Sequence, residues 1–188
     1  MRVIAGKARS LPLKCIDGFD TRPTTDRIKE TLFNILQPEI PGCRFLDLFS
    51  GSGAIGIEAL SRGAKEAVFV ENQRKAWSCI KDNLNFTRLT GSSRVLLMDA
   101  LQALYQMKGE PAFDIIFMDP PYDQGFEKQV LEVLGHSSLA DSHTTIVLET
   151  SKNGEVDWIE ACGFTPWKIK DYKTNRHLFL GRTKVQNS

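Results

Sequence analysis

Short apolar runs and stretches of helical periodicity alternate along most of the chain. Five of the runs are short enough to be buried strands, and they occupy residues 44–49, 66–71, 94–98, 113–118 and 144–148. Between them, apolar residues recur three and four positions apart, which predicts amphipathic helices. The clearest of these helices cover residues 54–62, 73–87, 100–107 and 126–134. Alternating strands and helices give a mostly parallel sheet covered on both faces, so the sequence predicts an α/β fold.

The pattern changes at both ends of the chain. Two strand-like stretches at 164–171 and 176–181, separated by only a few polar residues, predict an antiparallel hairpin that brings the sheet to seven strands. Residues 1–22 predict a β-hairpin or an irregular arm, followed by a helix whose N-cap is Thr24 or Thr25. The two expected parts are an N-terminal extension of arm and helix over residues 1–40 and a main domain over residues 41–188.

A glycine-rich turn joins the first strand of the main domain to its first helix. Gly51, Gly53 and Gly56 satisfy the pattern G-x-G-x-x-G, in which glycines permit a tight turn and bring a ligand close to the backbone. The pattern alone fits a site for NAD, a site for S-adenosylmethionine or a purely structural turn. Asp47 would repel the pyrophosphate of a dinucleotide, whereas it suits the positive amino and sulfonium groups of S-adenosylmethionine.

Two further carboxylates follow the next two predicted strands. Glu71 ends the second strand, where a carboxylate can accept hydrogen bonds from both hydroxyls of a ribose. Asp99 follows the third strand, and it can either accept a hydrogen bond from an adenine amino group or cap the next helix. Asn72 is the expected N-cap of the helix over residues 73–87. These positions predict a nucleoside site without choosing between the two cofactors.

The fourth predicted strand runs directly into Asp119-Pro120-Pro121-Tyr122. The two prolines stop the strand and fix the backbone, and neither of them donates a hydrogen bond. The carboxylate of Asp119 and the carbonyl of Pro120 can therefore accept hydrogen bonds from an amino group on a nucleobase. Tyr122 offers a flat face on which that base can stack. The alternative is a strand that ends at two prolines, with a polar cap and a surface tyrosine.

The formal net charge of +1 hides an uneven distribution of charge. Seven basic and four acidic side chains give residues 1–30 a charge of +3, and six against one give residues 168–188 a charge of +5. The centre of the chain, residues 31–167, holds eleven basic and eighteen acidic side chains and so carries −7. Basic ends of this kind either bind phosphate or act as solvated tails.

Composition excludes several classes of protein and site. No apolar run has the roughly 18 residues that a membrane span needs, and the N-terminus lacks the apolar segment of a secretory signal. The four cysteines show neither C-x-x-C spacing nor a histidine at metal-ligand spacing, so we expect no metal site and a reduced, cytoplasmic protein. Cys79 is expected in the core. The histidines are expected at the surface or at helix ends, and they are His136, His143 and His177.

Several motifs together resemble one family of enzymes. The pairing of Asp-Leu-Phe-Ser-Gly-Ser-Gly at residues 47–53 with Asp-Pro-Pro-Tyr at residues 119–122 looks like the amino-group methyltransferases of the class I, Rossmann-like fold, which use S-adenosylmethionine. Residues 2–6 (Arg-Val-Ile-Ala-Gly) and residues 22–36 resemble the RsmD family, and the match runs over nearly the whole chain. That resemblance implies transfer of a methyl group to the N2 amino group of a guanine in 16S ribosomal RNA.

The resemblance also implies roles for individual residues. The implied cofactor-binding residues are Asp47, Phe49, Gly51, Gly53, Glu71, Asn72, Asp99 and Ala100. The implied catalytic residues, which would meet the target guanine, are Asp119, Pro120, Pro121 and Tyr122. The implied RNA-binding residues are Arg2, Lys7, Arg9, Arg22, Thr24 and Arg27. The implied substrate is 16S rRNA within a small ribosomal subunit or an assembly intermediate, and a monomer is the default expectation.

Three other functions fit parts of this pattern. An adenine-N6 methyltransferase on DNA or RNA shares the Asp-Pro-Pro-Tyr chemistry, although 188 residues show no separate target-recognition domain. An NAD-dependent oxidoreductase could use the glycine turn, but Asp47 and the proline motif argue against it. A protein of this fold could also bind RNA without catalysis, and the intact Asp119 argues against that alternative.

Overall fold

Seven strands form a mostly parallel sheet with an antiparallel C-terminal hairpin, which confirms the predicted fold class. The computed structural model describes residues 1–16, 25–122 and 124–183. Contacts divide the chain into two compact units, Met1–Asp99 and Ala100–Ser188. The described helices include none that is long and apolar enough to cross a membrane. The boundary expected between residues 40 and 41 stays a prediction.

The described residues of the first unit form three parallel strands and three α-helices. Its strands are β1 (Arg44–Asp47), β2 (Glu66–Glu71) and β3 (Ser93–Leu97), and β2 lies between the other two. Its helices are α1 (Asp26–Leu36), α2 (Ala54–Ser61) and α3 (Arg74–Thr87), with a 3-10 helix at Thr90–Ser92. Because all three strands run in one direction, their carboxyl ends lie at one edge of the sheet, where open α/β folds bind ligands.

Helix α1 begins where the sequence predicts it. Thr25 is the N-cap, and its side-chain oxygen accepts a hydrogen bond from the backbone N–H of Ile28 at 3.3 Å. Leu32, Phe33 and Leu36 lie on one stripe of the helix and are fully buried. The amphipathic spacing therefore places this helix against the core of the unit.

The N-terminal arm folds back on itself over residues 1–16. Arg2 and Pro12 form an antiparallel bridge. The backbone N–H of Val3 donates to the Leu11 carbonyl at 3.0 Å, and that of Ser10 donates to the Val3 carbonyl at 2.8 Å. The arm is therefore an irregular hairpin, as the broken apolar pattern predicts.

The second unit continues the alternation and ends in the hairpin. Its strands are β4 (Ile115–Met118), β5 (Thr145–Ser151), β6 (Phe164–Asp171) and β7 (Asn175–Arg182). Its helices are α4 (Ala100–Gln106) and α5 (Phe126–Gly135), with a 3-10 helix at Asp157–Cys162. β4 and β5 are parallel, β7 is antiparallel to β5, and β6 is antiparallel to β7. All four residues of β4 are buried, as a parallel strand covered on both faces requires.

Three expectations about single residues are wrong. Helix α3 has Gln73 at its N-cap instead of Asn72, because the Glu71 carboxylate holds the Gln73 N–H at 2.8 Å and the helix starts one residue later. His177 is fully buried, and the carboxylate of Glu149, 2.8 Å from its Nε2, supplies the partner that a buried imidazole needs. Cys79 is only half-buried, since it lies on the side of α3 that meets the N-terminal arm.

Candidate functional site

A buried carboxylate ends strand β1. Asp47 exposes only 1% of its surface, and its Oδ2 accepts a hydrogen bond from the backbone N–H of Gly56 at 3.1 Å. Its Oδ1 is buried without a hydrogen-bond partner among the described residues. Burial raises the pKa of Asp47 to about 7, the nearby Glu71 also raises it, and the Gly56 N–H opposes the rise. A positively charged group placed beside Oδ1 would satisfy this oxygen and restore the ionised form.

Hydrogen bonds of Ser50 join the glycine turn to strand β2. The Ser50 hydroxyl donates to the Asp47 carbonyl at 2.8 Å and accepts from the Val70 N–H at 3.0 Å. The Ser50 carbonyl in turn accepts a hydrogen bond from the Gly53 N–H at 2.7 Å. This network fixes the path of the backbone from the end of β1 to the start of α2.

The three glycines of the turn have different physical roles. Gly51 and Gly53 have φ angles of +53° and +79°, which favour glycine. A Cβ at Gly51 would meet nothing within 4 Å, so a ligand can approach the backbone there. A Cβ at Gly56 would lie 2.3 Å from the ring of Phe69, so Gly56 allows α2 to pack closely against β2. This arrangement fits the expectation that the turn binds a ligand.

Glu71 links the end of β2 to the glycine turn. Its Oε2 accepts a hydrogen bond from the Gly51 N–H at 3.0 Å, and its Oε1 accepts from the Gln73 N–H at 2.8 Å. Burial raises the pKa of this half-buried carboxyl, and the N–H groups of Gln73, Gly51 and Asn72 oppose the rise. The structure therefore brings Glu71 and the glycine turn together, and Glu71 lies close enough to Asp47 to raise the pKa of that carboxyl.

The remaining predicted cofactor residues occupy separate positions. Phe49 is half-buried in the turn after β1, and Asn72 is exposed directly after β2. Asp99 is half-buried two residues after β3 ends, at the same edge of the sheet as Asp47 and Glu71. The next residue, Ala100, is buried and begins α4 in the second unit.

The Asp-Pro-Pro-Tyr turn directly follows strand β4. Asp119 is half-buried and Pro120 is buried, whereas Pro121 is exposed. Tyr122 exposes 41% of its surface, so part of its ring is available to a base. The turn therefore has the order that the sequence predicts: a buried strand, a carboxylate, two residues without N–H groups and an aromatic ring.

Three of the six predicted RNA-binding residues surround one cavity of the first unit. Arg2, Arg9 and Arg27 line this cavity of about 310 Å³, together with Asp26 and Glu30. The guanidinium of Arg2 lies 3.1 Å from the Asp26 carboxylate, and all three arginines are exposed. A phosphate would therefore meet more positive than negative charge at this cavity.

Of the other three predicted RNA-binding residues, the structure describes one. Lys7 is exposed on the arm, and its backbone N–H donates to the Ser61 carbonyl at 2.8 Å. Arg22 and Thr24 lie outside the described residues.

A buried ion-pair cluster holds the arm, and sequence reasoning missed it. The Glu58 carboxylate lies 3.4 Å from the Lys29 ammonium and 2.7 Å from the Arg62 guanidinium. It also accepts hydrogen bonds from the backbone N–H groups of Ile4 and Ala5 at 2.8 and 3.0 Å. Burial lowers the pKa of Lys29, and Glu58 opposes that effect. The available signal was a lone glutamate in the otherwise apolar run of α2.

The fold and these sites together define a class I S-adenosylmethionine-dependent methyltransferase. A profile of the family described as "Conserved hypothetical protein 95" matches residues 1–180. The chain belongs to this family, which is the RsmD family that its motifs resemble.

Similar proteins of known name or structure support this assignment. YlbH of Bacillus subtilis (strain 168) is 41% identical over 157 residues, which cover 83% of this chain and 85% of YlbH. Ribosomal RNA small subunit methyltransferase D of Escherichia coli (strain K12) is 40% identical over 155 residues, covering 82% of this chain and 77% of that enzyme. The solved structure of yhhF from Escherichia coli matches with a TM-score of 0.85 and 32% identity over 97% of each chain. The expected family, enzyme class and methyl donor are confirmed.

Proposed function

We propose that this protein transfers a methyl group from S-adenosylmethionine to the exocyclic N2 amino group of a guanine in 16S ribosomal RNA. The observation that carries the proposal is the Oδ1 of Asp47, which is buried beside an open glycine turn and has no hydrogen-bond partner in the part of the chain that the structure describes. As part of a carboxylate, that oxygen would attract a cation and would repel the pyrophosphate of a dinucleotide. Membership in the RsmD family supports RNA as the methyl acceptor, because its Escherichia coli relative is named as a small-subunit rRNA methyltransferase.

Residues of the first unit would hold the cofactor, which supplies an electrophilic methyl group on a positively charged sulfur. Asp47 would bind the cationic amino acid end, and the open backbone at Gly51 would let that end approach closely. Glu71 would accept hydrogen bonds from the ribose hydroxyls with the lone pairs that its backbone N–H partners leave unused. Asp99 would accept a hydrogen bond from the adenine amino group.

Residues of the Asp-Pro-Pro-Tyr turn would hold the target base. The lone pair of the guanine N2 is delocalised into the ring, so this nitrogen is a poor nucleophile. Acceptors at Asp119 and at the Pro120 carbonyl would orient the amino group and stabilise the positive charge that develops on N2 during transfer. Tyr122 would stack on the base and keep it out of the RNA helix. The proton then leaves from N2 to the Asp119 carboxylate or to water.

The RNA itself would bind to the basic arm and the start of α1. Arg2, Lys7, Arg9 and Arg27 are exposed, and such side chains neutralise phosphates in a manner that salt weakens. We propose that the substrate is a small ribosomal subunit or its assembly intermediate. We further propose that the enzyme acts as a cytoplasmic monomer.

The deciding experiment supplies isotopically labelled S-adenosylmethionine to the enzyme and to small subunits that lack the modification. Nucleoside analysis of the product should show N2-methylguanosine. N6-methyladenosine, or no labelled nucleoside at all, would contradict the proposal. Calorimetry should show binding of S-adenosylmethionine and none of NAD.

The variant Asp119→Ala tests the role of the turn. It should abolish transfer, because the target amino group loses its charged acceptor, while calorimetry should still show binding of S-adenosylmethionine. Near-normal turnover by this variant would refute the assignment of Asp119.

A further inference from the structure

The outermost strand of the C-terminal hairpin carries exposed apolar side chains. Strand β6 lies at the end of the sheet and, among the described strands, pairs with β7 alone. Its residues 167–171 are all exposed, and Trp167 and Ile169 leave 52% and 50% of their surfaces in solvent. Large apolar groups on an edge strand favour unwanted pairing between chains. Their presence on this strand therefore calls for a functional explanation.

The ring of Trp167 is held in place from one side. Its centroid lies 5.4 Å from that of Phe179, which is fully buried in β7. The register of β6 against β7 shifts between Pro166 and Lys168, so Trp167 lies in a bulge. Bulges redirect side chains at sheet edges. The result is an aromatic ring packed against the core and still half open to solvent, which loses little freedom when a ligand binds to it.

Two lysines share the face of the sheet on which Trp167 lies. Lys168 is the register partner of Phe179, and Lys170 is the register partner of His177. Directly opposite residues of an antiparallel pair project from the same face. Because Trp167 contacts Phe179, the three side chains lie on one face. We call Trp167, Lys168 and Lys170 the hairpin platform.

Basic residues predominate in the two strands of the hairpin and the turn between them. Asp171 is the single acidic residue in the sequence between residues 164 and 183, and its carboxylate lies 3.3 Å from the guanidinium of Arg176. Lys173, in the turn between the two strands, is exposed and adds a further positive charge. Glu149, the register partner of His177, is buried and bonded to that histidine, so the exposed charge that a polyanion would meet on the hairpin platform is that of the two lysines.

We propose that the hairpin platform is a second docking surface of the enzyme, on which a base of single-stranded RNA stacks on Trp167 while Lys168 and Lys170 bind adjacent phosphates. This inference rests on the proposed function, because it concerns the same RNA substrate. Lysines on an edge strand also prevent aggregation, but that role gives no reason for a half-exposed tryptophan. Proteins that bind single-stranded RNA combine an aromatic ring, on which a base stacks, with cations that bind the phosphates.

The test measures RNA binding by variants of the hairpin platform. Trp167→Ala should weaken binding of a fluorescein-labelled single-stranded oligoribonucleotide by roughly 5- to 100-fold, the loss expected for one stacked base. Trp167→Phe should restore most of the affinity. The double variant Lys168→Gln/Lys170→Gln should lower the slope of log affinity against log salt by about 1.4, since each single-strand phosphate contact contributes about 0.7.

Matched controls come from helix α4 and from the turn that follows it. Tyr105→Ala removes an aromatic ring that is 65% exposed, and Lys108→Gln removes an exposed lysine, so both should leave RNA binding unchanged. Thermal melting and the affinity for S-adenosylmethionine should match the wild type in all variants, which shows that they are folded.

The outcomes separate this inference from the proposed function. Transfer of methyl to small subunits by the wild-type enzyme tests the function alone. If the wild type transfers methyl and the platform variants keep wild-type RNA affinity and KM, the inference is wrong and the function stands. Unchanged oligonucleotide affinity combined with lost self-association, or with lost binding of a ribosomal protein, would also overturn it.

Discussion

Replacing Asp47 with asparagine separates the cost of a buried charge from its use in binding. The side chain is fully buried, one of its oxygens has no partner among the described residues, and burial raises its pKa from 3.8 to about 7. The shift means that the folded protein opposes ionisation of this group. Asparagine keeps the acceptor for the Gly56 N–H and cannot ionise, so Asp47→Asn removes the charge with little change in shape.

The expected magnitude follows from the difference in proton binding. At about pH 5 the folded carboxyl is protonated and the unfolded one is ionised, so the folded state gains from its bound proton. By about pH 8 the folded carboxyl has lost that proton. Because pH 5 lies two units below the folded pKa, the bound proton stabilises the folded state at pH 5 by about 3 kcal/mol. Relative to Asp47→Asn, the wild type should therefore lose about 3 kcal/mol of unfolding free energy between these pH values.

The assay is urea unfolding of both proteins without cofactor at the two pH values. The difference between the two pH values is the quantity of interest, because any fixed cost of the buried amide cancels from it. Calorimetry with S-adenosylmethionine supplies the second half of the test. The ratio of the two Kd values at one pH isolates residue 47, since the free cofactor titrates equally in both experiments.

Two results would refute this reasoning. One is a stability difference between wild type and Asp47→Asn that does not change with pH, which would mean that the carboxyl titrates normally. The other is equal affinity of both proteins for S-adenosylmethionine at about pH 8, which would mean that the carboxylate does not bind the cation. At lower pH the affinity of the wild type should fall, by up to about tenfold for each pH unit below the folded pKa, because binding must first displace the proton.

Two further predictions concern packing in the first unit. Gly56→Ala should lower the unfolding free energy by about 1–3 kcal/mol, because its Cβ would lie 2.3 Å from the buried Phe69 ring; stability equal to the wild type in urea unfolding would contradict this. Glu58→Gln should lower the unfolding free energy by about 3–5 kcal/mol, because it leaves the buried ammonium of Lys29 without its counter-charge. Lys14→Gln breaks an exposed ion pair and serves as the control, with no measurable loss expected.

Local sequence patterns predicted the elements whose causes are local. Strand β2 occupies residues 66–71 as the apolar run indicates, and Thr25 caps α1 as expected. The glycine turn could also be predicted, because the need for a positive φ at Gly51 and Gly53 acts on single residues. The prediction of carboxylates at strand ends follows from the same logic, since strand direction alone puts those ends at one edge.

Burial of polar side chains could not be predicted, because it depends on partners that are distant in the sequence. The buried His177 is paired with a carboxylate 28 positions away in the sequence, and no residue near it in the sequence signals this contact. Lys29 lies on a helix in which a lysine would ordinarily be solvated, but Glu58 in α2 supplies its counter-charge. Such pairs become visible only when the topology has brought the two elements together.

The buried cluster also bears on the two interpretations of the basic N-terminal arm. A solvated tail needs no fixed path, yet Lys29 donates a hydrogen bond to the Arg2 carbonyl and Glu58 holds the next stretch of backbone. Gly6, with a φ of +84°, packs so closely on Ser61 that a Cβ would lie 1.8 Å from its carbonyl oxygen. Burying a charged pair is costly unless it is fully bonded. An arm held in this way presents its arginines from a fixed frame, and such preorganisation favours a docking role over a solubilising one.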